Sequence, residues 1–275
     1  MTLPLPNIQE PQPITTPSGQ VELRAVTKRY GNGSPVLEDI NLSIAESEFV
    51  SIIGPSGCGK STLLKLVAGL TRLSSGSVRV AGVEPVRARK MMSFMFQDAT
   101  LLPWRTVQRN VELSTELHGV KKAERAAIAG EMLSLVGLSQ VAHQFPRQLS
   151  GGMKMRVSIA RALSTRPKVL LMDEPFAALD ELTRDRLNEE LLRLRAEGRW
   201  TGLFVTHSVA EAVFLSDRII VLAAQPGRVT YDLPIHFSFP RNAELRLRAE
   251  FEEAVIEVSK NLRGVMERRK EGKEP

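Results

Sequence analysis

A single cysteine, Cys58, stands among 275 residues, so no disulfide can form within the chain. That scarcity fits a reducing compartment. No apolar run approaches the ~20 residues that a membrane-crossing helix needs. The first residues show no basic start followed by an apolar stretch, so a secretory signal is not expected. Aromatic residues make up only 5%, which argues against a surface built to stack bases. The four histidines, His118, His143, His207 and His236, are scattered and lack cysteine partners at metal-site spacing. No zinc site is expected. There is no internal repeat and no sustained heptad pattern.

What is present suffices for a substantial core: 43% hydrophobic and 25% charged residues. The length suits one large domain or two small ones. The net charge of +6 is compatible with nucleic acid, an anionic membrane face, or neither. The basic run Arg268-Arg269-Lys270 is interleaved with Glu267, Glu271 and Glu274, which reads as a solvated helix end.

The first 20 residues, with Pro4, Pro6, Pro11, Pro13 and Pro17, read as a disordered or extended leader. Val21–Val26 and Val36–Ile44 read as strands around the Gly31-Asn32-Gly33 turn. Phe49–Ile53 is a buried strand, and a helix is expected over Ser61–Leu70, closed by Gly69. Ser77–Val80 is a strand before the Ala81-Gly82 turn. Helices dominate from Val107 to Ala162, including an amphipathic one over Lys121–Val136 that stops at Gly137. Val169–Met172, Leu203–Val205 and Ile219–Leu222 are continuous apolar runs, as in parallel strands covered on both faces. Helical patterns cover Arg184–Arg195 and Val209–Leu215. A last helix is expected over Glu244–Met266, with Leu247, Phe251, Val255, Val258, Leu262 and Met266 on its apolar stripe. Strands alternating with helices give an α/β core interrupted by a helical insert.

Three motifs carry chemistry. Gly54-Pro55-Ser56-Gly57-Cys58-Gly59-Lys60-Ser61-Thr62 follows a strand and opens a helix, the setting of a phosphate-binding loop. Glycines let successive N–H groups point into one concavity, and the helix start adds its positive end. Lys60 is placed to reach β- and γ-phosphates, and the Ser61 hydroxyl to ligate Mg²⁺. Cys58, beside Lys60 and a helix start, is expected to face the nucleotide as a reactive thiolate. Next, Ser150 caps a helix whose first residues are Gly151 and Gly152, leaving N–H groups open to an anion. Poor helix formers at that position speak against an ordinary capped helix. Finally, Asp173-Glu174-Pro175 ends an apolar strand where ligands bind in such sheets. Asp173 would help hold Mg²⁺, and Glu174 would polarise the attacking water.

In this order the motifs resemble the nucleotide-binding subunit of an ABC transporter, over roughly Val21 to Ile235. Leu149-Ser150-Gly151-Gly152-Met153 is similar to the family's signature sequence. The resemblance implies ATP and Mg²⁺ as cofactors, and that Tyr30 stacks on adenine. It makes Gln97 the glutamine that contacts Mg²⁺ and water, and His207 the switch histidine near the γ-phosphate. Ala178-Leu179-Asp180 resembles the D-loop. It implies a homodimer packed head to tail, each ATP lying between one subunit's loop and Ser150–Gly152 of the partner subunit. Met155 departs from the usual glutamine, and Ala177 from a glycine common in the nearest group.

Leu101-Leu102-Pro103-Trp104-Arg105-Thr106-Val107 reads either as core of the insert or as a docking surface. The run is similar to subunits of the nitrate, sulfonate, taurine and bicarbonate importer group and of pyrimidine-precursor importers. The implied domains are a leader (1–20), an ATPase domain (21–236, with a helical subdomain over about 98–164) and a C-terminal helical extension (237–275). The implied fold is a P-loop ATPase core with a small antiparallel β subdomain and a signature-bearing α-helical subdomain. The implied setting is the cytoplasmic face of the membrane, as a peripheral subunit with a permease and a solute-binding protein as partners and no nucleic acid. The rival reading, an ABC ATPase acting on nucleic acid or ribosomes, usually brings coiled-coil insertions or a second ATPase domain, which this chain lacks.

Overall fold

The computed structural model describes residues 19–270, with side chains through Glu267. The leader expected over 1–20 lies, but for its last two residues, outside that range. So do the side chains of Arg268-Arg269-Lys270.

The central sheet has the strand order β5-β6-β7-β3-β8-β9. Its members are β3 (Phe49–Ile53), β5 (Met92–Met95), β6 (Val169–Asp173), β7 (Thr201–Val205), β8 (Arg218–Leu222) and β9 (Val229–Pro234). All neighbours run parallel except β9, which is antiparallel to β8. A second, antiparallel sheet has the order β2-β1-β4, from β1 (Val21–Arg29), β2 (Pro35–Ile44) and β4 (Ser75–Val80).

Alternation along the buried strands splits the interior into two cores. Val50, Ile52, Leu171, Leu203, Val205 and Ile220 pack toward the antiparallel sheet and α1 (Lys60–Val67). Phe49, Ile53, Leu170, Met172, Phe204 and Ile219 face the opposite side. There they meet α3 (Val107–Leu117), α4 (Lys122–Leu135), α5 (Gly151–Leu163), α6 (Glu181–Gly198), α7 (Val209–Leu215) and α8 (Ala249–Lys270). A short α2 (Pro85–Ala88) precedes β5.

Helix starts follow the side chains. Thr106, Ser150, Asp180 and Ser208 cap α3, α5, α6 and α7, each accepting from a backbone N–H three residues on. Stops are equally local. The helix expected to Leu70 ends at Val67, since Gly69 turns left-handed at φ +65°.

Three elements depart from expectation. The strands β5 and β9 were not foreseen. The last helix begins at Ala249, and Leu247 lies in a preceding 3-10 turn, 87% exposed. Met266 is exposed as well, and Val265 takes the core position instead, beside Phe251 and Val258.

Candidate active site

Strand order brings the chemistry together. The strands β6, β7 and β3 are neighbours, with Asp173 paired to Val205 and Ile52 paired to Val205. Their C-terminal ends therefore release Asp173-Glu174, Thr206-His207 and the Gly54–Thr62 loop at one edge of the sheet. That edge is where parallel α/β sheets bind ligands.

A cavity of about 240 Å³ lies there, lined by Ser56, Gly57, Gly59, Lys60, Ser61 and Thr62, with Val36, Glu174 and His207. Gly59 has φ +98°, and a Cβ on it would stand 2.6 Å from Leu37 Cδ2. Only glycine fits this close approach to β2. The loop's other brace was not legible in the sequence. Gly227 donates to Val36 O at 2.9 Å, and a Cβ there would lie 2.1 Å from Cys58 O.

Lys60 is almost wholly buried, and its Nζ donates to Gly54 O at 2.9 Å and Pro55 O at 3.1 Å. Its third contact is to the weak acceptor Cys58 Sγ at 3.9 Å, so that is the donor a phosphate oxygen could claim. The Ser61 hydroxyl donates to Asp173 Oδ1 at 2.8 Å. Two hard oxygens side by side suit Mg²⁺, which is commonly held by one or two protein oxygens plus phosphates and waters. No cluster of three or more acidic, histidine or cysteine side chains that could hold a metal alone occurs among the described residues.

Glu174 Oε1 lies 2.6 Å from His207 Nε2. The Glu174 backbone is left-handed, φ +50°, and its N–H donates to Val205 O at 3.0 Å. A non-glycine residue in that region costs about 1–3 kcal/mol, and here it stands at the cavity. Behind His207, the Thr206 hydroxyl donates to the buried carboxylate of Glu211 and accepts from Ser208 N. Burial raises the Glu211 carboxyl above its ordinary value.

One expectation is overturned. Cys58 does not face the cavity: its side chain is 0% exposed and packs in the core beneath the loop, with Leu37, Leu63 and Leu64. Desolvation pushes its thiol up despite Lys60 nearby, so it is no reactive thiolate. Within the loop its N–H donates to Pro55 O at 3.3 Å, and its Sγ accepts from Lys60 Nζ at 3.9 Å.

The remaining candidates lie outside this cavity. Tyr30 is exposed on the β1–β2 turn, with Lys28 Nζ 4.4 Å from its ring centre. Gln97 is exposed just after β5, one strand beyond β6. Ser150 caps α5 by accepting from Met153 N at 3.3 Å. Gly152 abuts α6, where a Cβ would lie 2.8 Å from Thr183 Cγ2, and Gly151 faces Leu179 just before that helix. Trp104 is 71% exposed on a loop whose backbone is tied by the buried Asn110 side chain, to Leu102, Arg105 and Thr106.

A strand, glycine loop and helix, with an acid pair at the end of a parallel strand one place further along the sheet, define a P-loop ATPase. The chain belongs to the ABC transporter family, whose model matches residues 37–177. A taurine import ATP-binding protein of Escherichia coli is 45% identical over 209 residues, 76% of this chain and 82% of that one. A nitrate import ATP-binding protein of Synechococcus elongatus is 47% identical over 211 residues, 74% of this chain but 32% of that longer one. A dimeric ATP-binding cassette solved in a post-hydrolysis state with ADP and Pi superposes with TM-score 0.70. That structure is 35% identical and covers 79% of this chain and all of the other. The chain binds and hydrolyses ATP. No described helix is long and apolar enough to cross a membrane.

Proposed function

We propose that the chain energises import of a small solute through a separate permease, in a complex that includes a solute-binding protein. The similarity to taurine and nitrate import proteins supports this reading, as does the exposed Trp104 on a loop braced by Asn110. The solute is nitrate-, sulfonate- or taurine-like, or pyrimidine-precursor-like. The working unit is the ATPase domain over 21–236 with its helical part at about 98–164, extended by 237–275.

The observation that carries the chemistry is the pair of contacts across the cavity, Ser61 to Asp173 and His207 to Glu174. In this proposal the Gly54–Thr62 amides and Lys60 cradle the phosphates. Ser61, Asp173 and Gln97 hold Mg²⁺, which neutralises charge on the phosphate oxygens when bound. Glu174 orients and polarises the attacking water, and His207 reports on the γ-phosphate through its link to Glu174. Tyr30 stacks on the adenine. Ser150, Gly151 and Gly152 lie outside the cavity, which suits a head-to-tail homodimer in which the partner subunit's Ser150 closes each site. The closed and open dimers are then the two states that drive the permease from the cytoplasmic side.

The test is uptake. Affinity-tagged chain is purified from detergent-solubilised membranes, its partners are identified by mass spectrometry, and the complex is placed in proteoliposomes. ATP-dependent uptake of labelled taurine, nitrate or a pyrimidine precursor is the expected result. Salt-sensitive co-purification with nucleic acid and no permease would overturn the reading.

A further inference from the structure

The helix α7 is only seven residues long, and it begins two residues after His207. Its first turn is anchored by the Ser208 cap and by Thr206 on Glu211. Its far end needs a partner too, because the last four carbonyls of a helix have no N–H within it.

That partner comes from 25 and more residues further along the chain. Arg241 Nη1 lies 3.2 Å from Val213 O, 2.9 Å from Phe214 O and 2.9 Å from Ser216 O. Its Nε and Nη2 donate to Phe237 O, at 3.3 and 2.9 Å, fixing the guanidinium plane. The rings of Phe239 and Phe237 lie 4.2 and 5.9 Å from it. Asp217 and Arg195, ion-paired with one another, are the charged neighbours. Burial lowers its pKa only to about 10, so the cation persists at neutral pH. A cation at a helix C-terminus also suits the helix dipole.

We propose that Arg241 is a positioning residue for ATP hydrolysis: it locks the C-terminal end of α7, so that His207 stays against Glu174. A buried cation whose partners are helix carbonyls resists any slide of that helix, because a slide strips the charge of its acceptors. The residues after β9 reinforce the lock. Arg246 pairs with Asp185 on α6 at 3.0 Å and sits 4.0 Å over the Phe214 ring, while Phe251 of α8 meets Phe214 edge-on. The segment at 235–258 is thereby tied to the site through α7, although it contributes no residue to the cavity.

This inference rests on the proposed role of His207, and the test separates the two. Steady-state ATPase and thermal unfolding are measured on the full chain for Arg241→Met, His207→Ala and the double variant. Arg241→Met keeps an apolar stem but strands the carbonyls. The expected result is a fall in kcat of about tenfold with KM for ATP within about twofold, since the loop cradles the phosphates unaided. In the His207→Ala background, Arg241→Met should lower kcat by less than about twofold, because both act through one group. Equal losses in both backgrounds, or full kcat in Arg241→Met beside a slow His207→Ala, overturn the inference. Full kcat in His207→Ala instead overturns the reading of His207. If Arg241→Met fails to fold, the cycle is run with Arg241→Lys, which keeps charge but loses the planar fork. A kcat loss confined to the His207 background supports the inference, and no loss or an equal loss in both overturns it.

Discussion

The Ser61 hydroxyl and the Asp173 carboxylate meet at 2.8 Å across 112 positions of sequence. The first opens α1 and the second closes β6, and the sheet order alone brings them face to face. Their contact places two oxygen donors where a cation bridging to phosphate would sit.

That contact predicts a metal dependence. Asp173→Asn keeps the shape and a hydrogen bond to Ser61 but removes the charge that favours a divalent cation. ATPase titrated with free Mg²⁺ should shift its midpoint upward by about tenfold or more. An unchanged midpoint would take Asp173 out of the metal site.

Cys58 predicts chemical silence. Maleimide labelling of the native chain should be slow with and without Mg-ATP, and should become fast only on unfolding. The pH dependence has a definite sign. Burial raises the thiol above its ordinary 9.0, so bringing the solution to pH 9.0 still leaves the protonated, unreactive form dominant. Intact-protein mass spectrometry checks this, and rapid labelling blocked by ATP would contradict the observed burial.

Trp104 predicts separation of coupling from hydrolysis. Its ring is exposed while its loop is held from within by Asn110, so Trp104→Asp leaves the packing intact. Thermal midpoint and ATPase of the isolated chain should stay within error, while solute uptake by the assembled complex should fall by about tenfold or more. Full uptake would remove Trp104 from the permease contact.

Much of this architecture was legible in the sequence because its signals are local. Continuous apolar runs marked β3, β6, β7 and β8, and the glycine loop and the acid pair announced themselves by type and spacing. The strands β5 and β9 were not legible for physical reasons. Met92–Met95 is four residues long and mostly half-buried, and Val229–Pro234 is an antiparallel edge carrying Asp232 and ending in proline. The expected stripe failed at its ends: Leu247 falls in the 3-10 turn before α8, and Val265 rather than Met266 takes the last core position. Cys58 was misread because neighbours in sequence set its context, whereas the turn of the loop points its side chain into the core beneath. Arg241 had no signal at all. One arginine among many becomes a helix clamp only once Phe237 and the end of α7 are folded against it.

The central claim is that Glu174, held left-handed at the strand end and 2.6 Å from His207, activates the attacking water. Glu174→Gln keeps the size and removes the base. Multiple-turnover ATPase should fall by about 100-fold or more. The variant should retain ATP on gel filtration and elute as a two-chain species. Turnover within about threefold of the natural chain, with bound ATP consumed at the usual rate, would contradict the account.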